Sequence, residues 1–305
     1  MKAVRTHDRD AAAGSLVVEE VPYPYAGEGD VIVRVRAASF TPDELVWPAT
    51  WVDRGGRDRA PVIPGHEVSG EVAEVAVGTT GLSAGQRVVG LTDWSRDGAL
   101  AEYVAVEARN LAPLPVGIDH VQAAALPMPG LTAWQGLFIH GRLEAGQSVL
   151  VHGAGGGVGM AATQLAREAG ARVIGTGRGG SRDRVLELGA EVFLDLEHPA
   201  WEEAVGRVDL VFDALGGEVL DRSAVVVRPG GTLVSIVQPP NVRPEDGRAM
   251  YFIVEPNRGH LLEIIGRHRE GQLRPLVGAV HPLDRAPEAF RAKKGTVGKT
   301  VIHVA

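Results

Sequence analysis

The feature that most constrains the fold is a glycine-rich turn near the middle of the chain, Gly153-Ala154-Gly155-Gly156-Gly157-Val158-Gly159. The turn follows the apolar segment SVLVH and precedes MAATQLAREAG, in which apolar residues recur at helical spacing; a second apolar segment, ARVIGTG, comes next. Strand, turn, helix and strand in this order predict one βαβ unit. Small residues in such a turn let the backbone approach a pyrophosphate, to which the helix N-terminus offers free N–H groups. We therefore predict a dinucleotide site over residues 153–159.

The segments after this unit repeat its pattern. RVLELGAEVFLDL predicts a helix and a strand, and VDLVFDALGG and GGTLVSIV predict two more apolar strands with glycine at their ends. Alternating strands and helices are typical of an open parallel sheet. The second half of the chain is therefore predicted to be an α/β domain.

The first third of the chain has a different character. GSLVVEEVPYP, GDVIVRVRAASF, HEVSGEVAEVAVG, GQRVVGLTD and GALAEYVAVEARNLAPLP read as short strands between glycine and proline turns, which favours a barrel-like β domain. After it, Asp119 is predicted to cap a helix through HVQAAAL that Pro127 and Pro129 end. The last segment is predicted to hold two helices and two strands, and its final strand, GKTVIHV, to return to the β domain.

Composition excludes several classes of function. A formal net charge of −7 disfavours nucleic acid or an anionic membrane as the main partner, because both require a basic surface. The chain has no cysteine, which rules out disulfides, cysteine-ligated zinc and thiol catalysis, and fits a cytoplasmic protein. The polar start MKAVRTHDRD does not resemble a signal peptide, and no apolar run approaches a membrane span.

The end of the second strand of the βαβ unit indicates which dinucleotide binds. An NAD site usually has an acid there, but VIGTGRGGSRDR contains none before Asp183. Hydroxyl and guanidinium groups suit a 2′-phosphate, which a carboxylate would repel. We therefore predict NADP(H) rather than NAD(H), with Arg184 as the arginine that best fits a solvated face. The predicted contacts are Thr176, Gly177, Arg178, Ser181 and Arg182.

Taken together, the motifs resemble the medium-chain dehydrogenase/reductase superfamily, and more closely its zinc-independent quinone oxidoreductase branch. The matching segments are AASFTPDELVW, IPGHEVSGEV, VLVHGAGGGVGMAATQLAREAGARVIGTG, LELGAEVFLDL, FDALGG, GGTLVSI and GKTVIHV. The resemblance implies a GroES-like β-barrel catalytic domain over 1–115 with a C-terminal return over 265–305. It also implies a Rossmann nucleotide-binding domain, a doubly wound parallel sheet, over 116–264. NADPH, reduction of quinones or activated alkenes, and a homodimer are implied as well.

The resemblance also bears on whether this chain binds zinc. IPGHEVSGEV contains the Gly-His-Glu turn of the superfamily, in which His66 and Glu67 are plausible ligands. In the zinc branch, cysteine ligands stand where this chain has Thr41 and, by alignment, Pro129. A zinc site needs about three protein ligands. We therefore predict no metal site.

Several further site residues follow from family position. Thr41 and Thr132 are the candidate hydrogen-bond donors to the substrate carbonyl, although Thr132 also suits a helix start and Thr41 suits a satisfied loop. Tyr251 is the one phenol considered as a proton donor, with water as the default proton source. Trp47, Trp51, Phe252 and Tyr251 are candidate walls of an apolar acceptor pocket, or core residues. YFIVEP is expected to meet the carboxamide of the cofactor, and Lys299 to reach the cofactor or to be exposed. The implied cofactor contacts beyond the turn and the arginine loop are Thr132, Leu215, Gly216, Ile236, Phe252, Val254 and Lys299.

The predicted activity is hydride transfer from NADPH to a small apolar quinone or α,β-unsaturated carbonyl. The sequence leaves two alternative functions open. One is a reductase of aldehydes or enoyl thioesters on the same fold. The other is a non-catalytic NADPH-binding protein, because no distinctive catalytic acid stands out in the sequence.

Overall fold

The computed structural model describes residues 1–10, 14–41, 43–198, 200–292 and 297–304. The strands are β1 Lys2–Arg5, β2 Val17–Glu20, β3 Asp30–Ser39, β4 Glu67–Val75, β5 Arg87–Leu91, β6 Tyr103–Glu107, β7 Leu111–Pro113, β8 Ser148–His152, β9 Arg172–Gly177, β10 Val192–Asp195, β11 Val208–Asp213, β12 Val227–Ser235, β13 Arg248–Tyr251, β14 Val277–Pro282 and β15 Lys299–His303. The helices are α1 Pro48–Trp51, α2 His120–Ala124, α3 Pro127–Trp134, α4 Gly157–Glu168, α5 Arg182–Glu187, α6 Trp201–Val205, α7 Gly217–Ser223, α8 Arg258–Arg269 and α9 Ala286–Ala292. No helix among the described residues is long and apolar enough to cross a membrane.

The chain divides into two compact units. Unit 1 comprises 1–128, 256–266 and 275–305, and unit 2 comprises 129–255 and 267–274. Unit 1 extends past the predicted domain boundary at 115/116, because α2 packs onto the β domain, with Ala124 and Ala125 beside Ala37 and Val301. The expected return at 265 is interrupted, since residues 267–274 belong to unit 2.

Unit 1 is the predicted β domain. Its larger sheet has the order β14-β15-β3-β4-β5-β7, with β6 paired to β3, and β1 and β2 form a separate antiparallel pair. The apolar alternation of β3 directs Val31, Val33 and Val35 into a core. β15 pairs antiparallel with β3, which confirms that the C-terminal strand returns to this domain.

Unit 2 is the predicted parallel sheet. Its six strands lie in the order β10-β9-β8-β11-β12-β13, all parallel. This is the doubly wound Rossmann order, in which the chain moves outward from β8 in one direction and then from β11 in the other. The outer strand β13 was not predicted, because RAMY carries no clear period-two pattern.

The segment before unit 2 corrects one local prediction and confirms another. Asp119 caps α2, its carboxylate accepting the N–H groups of Val121 and Gln122 at 2.8 and 3.2 Å. Pro127 and Pro129 were expected to end that helix, but Pro127 opens the next one, α3. Proline is well tolerated in a first helical turn, where its missing N–H would have no partner. After α3 the chain continues as the π-helical segment Gln135–His140.

Candidate functional site

The strand order of unit 2 locates a crevice for a ligand. In an open α/β sheet, ligands bind outside the carboxyl ends of the strands where the strand order reverses, here between β8 and β11. Gly153 directly follows β8, and Asp213 ends β11. The structure therefore brings the turn after each of these two strands to the same edge of the sheet.

The backbone of the glycine-rich turn favours glycine at Gly153 and requires it at Gly159. Gly153 has a φ of +72°, which favours glycine. A Cβ at Gly159 would lie 2.1 Å from the carbonyl oxygen of Gly153 and 2.7 Å from Cα of Ala154, so only glycine allows α4 to approach the strand this closely. Gly156 is the N-cap of α4, and the N–H of Met160 donates to its carbonyl at 2.8 Å. The N–H groups of the preceding helical residues have no intrahelical acceptor and can bind an anion.

The predicted arginine loop packs directly on this turn. A Cβ at Gly155 would lie 2.5 Å from Cβ of Ser181, and one at Gly177 would lie 2.9 Å from its hydroxyl oxygen. The Ser181 hydroxyl donates to the carbonyl of Arg178 at 2.8 Å, which closes the loop at the end of β9. The side chain of Arg178 is exposed and has no hydrogen-bond or ion-pair partner among the described residues. Arg182 is also exposed, but it donates to the Phe193 carbonyl at 3.3 Å.

Thr176 bonds to the glycine-rich turn through its backbone, and its predicted contact with the cofactor stays a prediction. Its side chain is fully buried, and its hydroxyl lies 2.8 Å from Nδ1 of His152. Its backbone carbonyl accepts the N–H of Ala154 at 2.9 Å. His152 also contacts Ser223 through Nε2 at 3.0 Å, and burial lowers its pKa to about 3, so the ring is neutral. The side-chain direction along β9, which sequence periodicity left open, turns the Thr176 hydroxyl toward His152.

The predicted contacts Leu215, Gly216 and Ile236 lie at the same edge. Leu215 is 43% exposed, and its Cδ2 would be 3.2 Å from a Cβ at Gly153. The carboxylate of Asp213 accepts the N–H groups of Leu215 and Gly216, each at 3.1 Å. The carboxylate thereby closes the turn after β11, whose Leu215 side chain lies beside Gly153.

The segment YFIVEP is fixed against the π-helical segment by a reciprocal amide pair. Nε2 of Gln135 donates to the Glu255 carbonyl at 2.7 Å, and the Glu255 N–H donates back to Oε1 at 3.1 Å. Phe252 and Val254 are buried, and the Phe252 ring lies 4.4 Å from that of His140. Tyr251 is 38% exposed at the end of β13, so its phenol is available to solvent.

Thr132 and Thr41 occupy different units. Thr132 lies on α3 and is 4% exposed, within unit 2. Thr41 lies in unit 1 just after β3, and its backbone N–H donates to the Glu44 carboxylate at 3.0 Å. Their roles in catalysis stay predictions.

Glu44 is a buried carboxyl group that the sequence did not single out. It is 1% exposed, and besides Thr41 it accepts the N–H of Gly65, whose φ is +84°. Burial raises the Glu44 pKa to about 7, against the opposing effect of these two N–H groups and of the Lys299 charge. The carboxyl thus ties the loop after β3 to the loop that carries the Gly-His-Glu turn.

Glu67 and Lys299 form a buried ion pair. The Lys299 ammonium donates to Oε2 of Glu67 and, at 3.1 Å, to the carbonyl of Phe40. Glu67 also accepts the Ser39 hydroxyl at 2.6 Å and the Met128 N–H at 2.9 Å. Lys299 is 7% exposed, so the alternative that it is an exposed side chain is wrong, while a role toward the cofactor stays a prediction.

His66 lies beside aromatic rings. Its Nδ1 is 2.7 Å from the Thr92 hydroxyl, and its ring meets that of Trp94 edge-on at 4.7 Å. Trp94 in turn meets Trp47 edge-on at 5.3 Å. Burial lowers the His66 pKa to about 3, with the nearby Arg59 charge acting in the same direction. Trp51, by contrast, is 1% exposed and belongs to the core, which is one of the two alternatives that the sequence left open.

The donor chemistry at this position does not fit a zinc ion. The Glu67 carboxylate is already bonded to an ammonium, a hydroxyl and an N–H group, and Nδ1 of His66 is 2.7 Å from the Thr92 hydroxyl. Within the described part of the chain, no group of three or more His, Cys, Asp or Glu side chains is placed to hold a metal.

Three residues that hold the candidate site in place were not predicted from the sequence, for a common reason. Asp213, Glu44 and Gln135 act through partners distant in the chain or through a local turn that only the fold defines. One signal was available for Asp213, since an acid that ends an apolar strand before Ala-Leu-Gly-Gly stands where it can cap the following turn. Gln135 and Glu44 carry no comparable signal.

Comparison with known proteins agrees with this architecture. The family of alcohol dehydrogenase GroES-like domains matches residues 27–116, and the zinc-binding dehydrogenase family matches residues 188–302. The chain is 31% identical to the NADPH-dependent alkenal/one oxidoreductase of Arabidopsis thaliana chloroplasts, over 92% of this chain and 73% of that protein. It is 35% identical to the spectinabilin polyketide synthase system protein NorB of Streptomyces orinoci, over 96% of this chain but only 14% of that protein.

A solved structure also matches this chain over its whole length. The quinone oxidoreductase of Coxiella burnetii superposes with a TM-score of 0.90 at 26% identity, and the alignment covers 100% of this chain and 99% of that one. Both units of the present chain therefore have counterparts in one known enzyme structure.

Proposed function

Because the chain belongs to the medium-chain dehydrogenase/reductase superfamily, in its quinone oxidoreductase-like branch, we propose that this oxidoreductase uses NADPH to reduce a quinone or an α,β-unsaturated carbonyl without a metal. The observation that carries the proposal is the packing of the Ser181 loop onto the glycine-rich turn. Residues 172–182 contain no acid, and Arg178 is exposed beside that turn.

The loop after β9 supports NADPH over NADH. A 2′-phosphate on the adenosine ribose carries charge that guanidinium groups stabilise, whereas an NAD site offers a carboxylate to the ribose hydroxyls. Arg178 has no competing partner among the described side chains, so it can turn to the phosphate without breaking a bond. Arg182 can assist, at the cost of its weak bond to the Phe193 carbonyl.

The surroundings of the Gly-His-Glu turn support chemistry that needs no metal. His66 and Glu67 are engaged by Thr92 and Lys299, and the two cysteine positions of the zinc branch hold Thr41 and Pro129. Together these residues lack the three free donors that a zinc ion requires.

Bound NADPH would supply the hydride, so this chain has to bind, orient and shield. The turn over 153–159 and the loop at Arg178 would hold the phosphates, while the exposed side chain of Leu215 offers apolar surface. Charge develops on the carbonyl oxygen of the acceptor during hydride transfer, and a hydroxyl donor nearby stabilises it. Thr41 and Thr132 are the proposed donors to that oxygen, and the proton comes from water, with Tyr251 as the alternative proton donor.

We further infer a cytoplasmic homodimer. The absence of cysteine fits a reducing compartment, and no nucleic acid or membrane partner is expected for a chain of net charge −7. The outermost strand of the unit 2 sheet, β13, pairs with β12 alone among the described strands. Its other edge can pair with a second copy, a hypothesis that light scattering coupled to size-exclusion chromatography tests: a monomer at micromolar concentration would contradict it.

The direct test of the activity is an acceptor panel. Oxidation of NADPH is followed by its absorbance with quinones, 2-alkenals, enones, aldehydes and enoyl thioesters. The proposal predicts the highest kcat/KM with a quinone or an enone. Turnover confined to aldehydes or enoyl thioesters would favour the alternative reductase, and NADPH binding without turnover on any acceptor would favour a non-catalytic protein.

A further inference from the structure

Asp213 bonds to the turns after β11 and β12 through both its carboxylate and its backbone carbonyl. The carboxylate is fully buried, its Oδ1 accepts the N–H groups of Leu215 and Gly216 at 3.1 Å, and its Oδ2 accepts the hydroxyl of Ser235 at 2.8 Å. Its backbone carbonyl accepts the N–H of Ile236 at 3.1 Å. One residue therefore fixes three of the predicted cofactor contacts through four partners.

Ser235 extends this arrangement along the turn after β12. Its hydroxyl oxygen accepts the N–H of Val237 at 3.2 Å and that of Gln238 at 3.4 Å. The Gln238 side chain accepts the N–H of Gly217 at 3.3 Å, and a Cβ at Gly216 would lie 2.8 Å from Cγ1 of Val237. The turn after β11 and the turn after β12 thus form one bonded unit.

The glycine-rich turn after β8 is joined to the turns after β11 and β12 by side-chain packing. Asp213 lies opposite His152 in the parallel register of β11 and β8, so it stands next to the start of the glycine-rich turn. Leu215, whose N–H the Asp213 carboxylate holds, has its side chain against Gly153. A shift of the Leu215 backbone would therefore change the space above Gly153.

We propose that Asp213 is a positioning residue for NADPH: it sets the turns after β11 and β12 against the glycine-rich turn, and so shapes the surface on which the cofactor lies. The inference rests on the proposed function, since it assumes that this edge binds NADPH. Asp213 itself is buried beneath the turns and acts through the groups that it holds. Removing its carboxylate frees the N–H groups of Leu215 and Gly216, and the binding surface loses its fixed geometry.

The same strand provides a matched control. At the opposite end of β11, Asp209 accepts the N–H of Ser148 at 2.8 Å and its hydroxyl at 2.7 Å, and it pairs with Arg228. Asp209 therefore makes the same kind of aspartate–serine bond on the same strand, but at the edge away from the turns. A purely structural role for Asp213 predicts that the two aspartates behave alike.

The test compares Asp213→Ala, Asp213→Asn, Ser235→Ala and Asp209→Ala with the wild-type protein. NADPH Kd is measured by fluorescence titration, melting temperature by calorimetry, and KM and kcat with the best acceptor of the panel. Asp213→Ala is expected to raise Kd and the KM for NADPH about tenfold, with kcat at saturating NADPH changed less than about threefold, because tenfold corresponds to the loss of one or two hydrogen bonds. Asp209→Ala is expected to lower the melting temperature but to leave Kd within about twofold of wild type.

The conservative variants complete the test. Asp213→Asn keeps an oxygen for the two N–H groups and is expected to restore most of the affinity, while Ser235→Ala is expected to raise Kd about threefold. A folded Asp213→Ala protein with wild-type Kd would overturn the proposal, as would an equal rise in Asp209→Ala. If Asp213→Ala does not fold, wild-type Kd in Ser235→Ala overturns it. Wild-type protein that does not bind NADPH would instead refute the proposed function itself.

Discussion

The ammonium of Lys299 and the carboxylate of Glu67 form an ion pair whose side chains are 9% and 1% exposed. The pair joins the first residue of β15 to the first residue of β4, and Glu67 also holds the hydroxyl at the end of β3 and an N–H at the start of α3. Three strands of unit 1 and the N–H of Met128, which ends the first segment of that unit, therefore meet at one carboxylate. In this chain, the glutamate of the Gly-His-Glu turn acts as a structural junction.

This junction leads to a prediction about stability. Lys299→Met leaves the Glu67 carboxylate buried without a cation, and we expect it to reduce the free energy of unfolding by about 3–5 kcal/mol, measured by urea denaturation. Glu67→Gln with Lys299→Met removes both charges and should be more stable than the single variant. Lys2→Met, which breaks the exposed pair with Asp284, is the control and should change little. A double variant no more stable than Lys299→Met would show that the buried charge is not what costs stability.

A second prediction concerns the close approach of α4 to the glycine-rich turn. Gly159→Ala places a methyl group 2.1 Å from the Gly153 carbonyl oxygen, so the turn must move. We expect a loss of about 1–3 kcal/mol in stability, together with weaker NADPH binding. Gly266→Ala is the control, since Gly266 lies in α8, outside the proposed cofactor site, and a Cβ there meets nothing within 4 Å. Calorimetry and a binding titration on both variants test this, and equal behaviour of the two would contradict the packing argument.

Discrimination between NADPH and NADH should depend on Arg178. Its exposed guanidinium is expected to bind the 2′-phosphate, so Arg178→Ala should raise the KM for NADPH about tenfold and leave that for NADH within about twofold. Steady-state kinetics with both cofactors measure the difference. Arg184→Ala, which removes a nearby arginine one position beyond Asp183, serves as the control. A parallel rise in both KM values would mean that Arg178 does not recognise the phosphate.

The pH dependence of stability should reflect the buried histidines. Burial lowers the pKa of His152 to about 3 from an ordinary value of 6.5, so the unfolded chain binds a proton that the folded one does not between these values. Stability therefore falls as pH drops from about 6.5 toward 3, at about 1.4 kcal/mol per pH unit for one such group. His66 acts in the same direction. Denaturant titrations at a series of pH values should show that the free energy of unfolding depends less steeply on pH in His152→Gln than in wild type. An unchanged pH dependence would contradict the conclusion that buried His152 is neutral in the folded protein.

Local signals in the sequence were sufficient for much of this architecture. Glycines between an apolar strand and an amphipathic helix predicted the turn over 153–159, and Asp119 predicted the start of α2, because both depend on residues close together in the chain. Pro127 misled because proline is compatible with a helix start as well as with a helix end. The parallel order of the unit 2 sheet followed from the alternation of strands and helices.

The contacts that hold the site together were beyond reach of such signals. Lys299 and Glu67 are 232 residues apart, Gln135 and Glu255 are 120 apart, and Ser235 and Asp213 are 22 apart. Each pairing is decided by which strands become neighbours and by the face that a side chain takes, which tertiary packing determines. Thr176 shows the second point, since its identity suited a phosphate contact while its direction in β9 buries it against His152.

We propose that this protein transfers hydride from NADPH without a metal. The most direct test of this proposal measures kcat/KM for NADPH and NADH with one enone and one quinone, before and after exhaustive dialysis against a chelator, with metal content determined on the same samples. We predict a preference for NADPH of about tenfold or more, from the charge-assisted bonds to the 2′-phosphate, and unchanged rates after dialysis. Equal use of NADH, or activity that is lost on chelation and restored by zinc, would contradict the account.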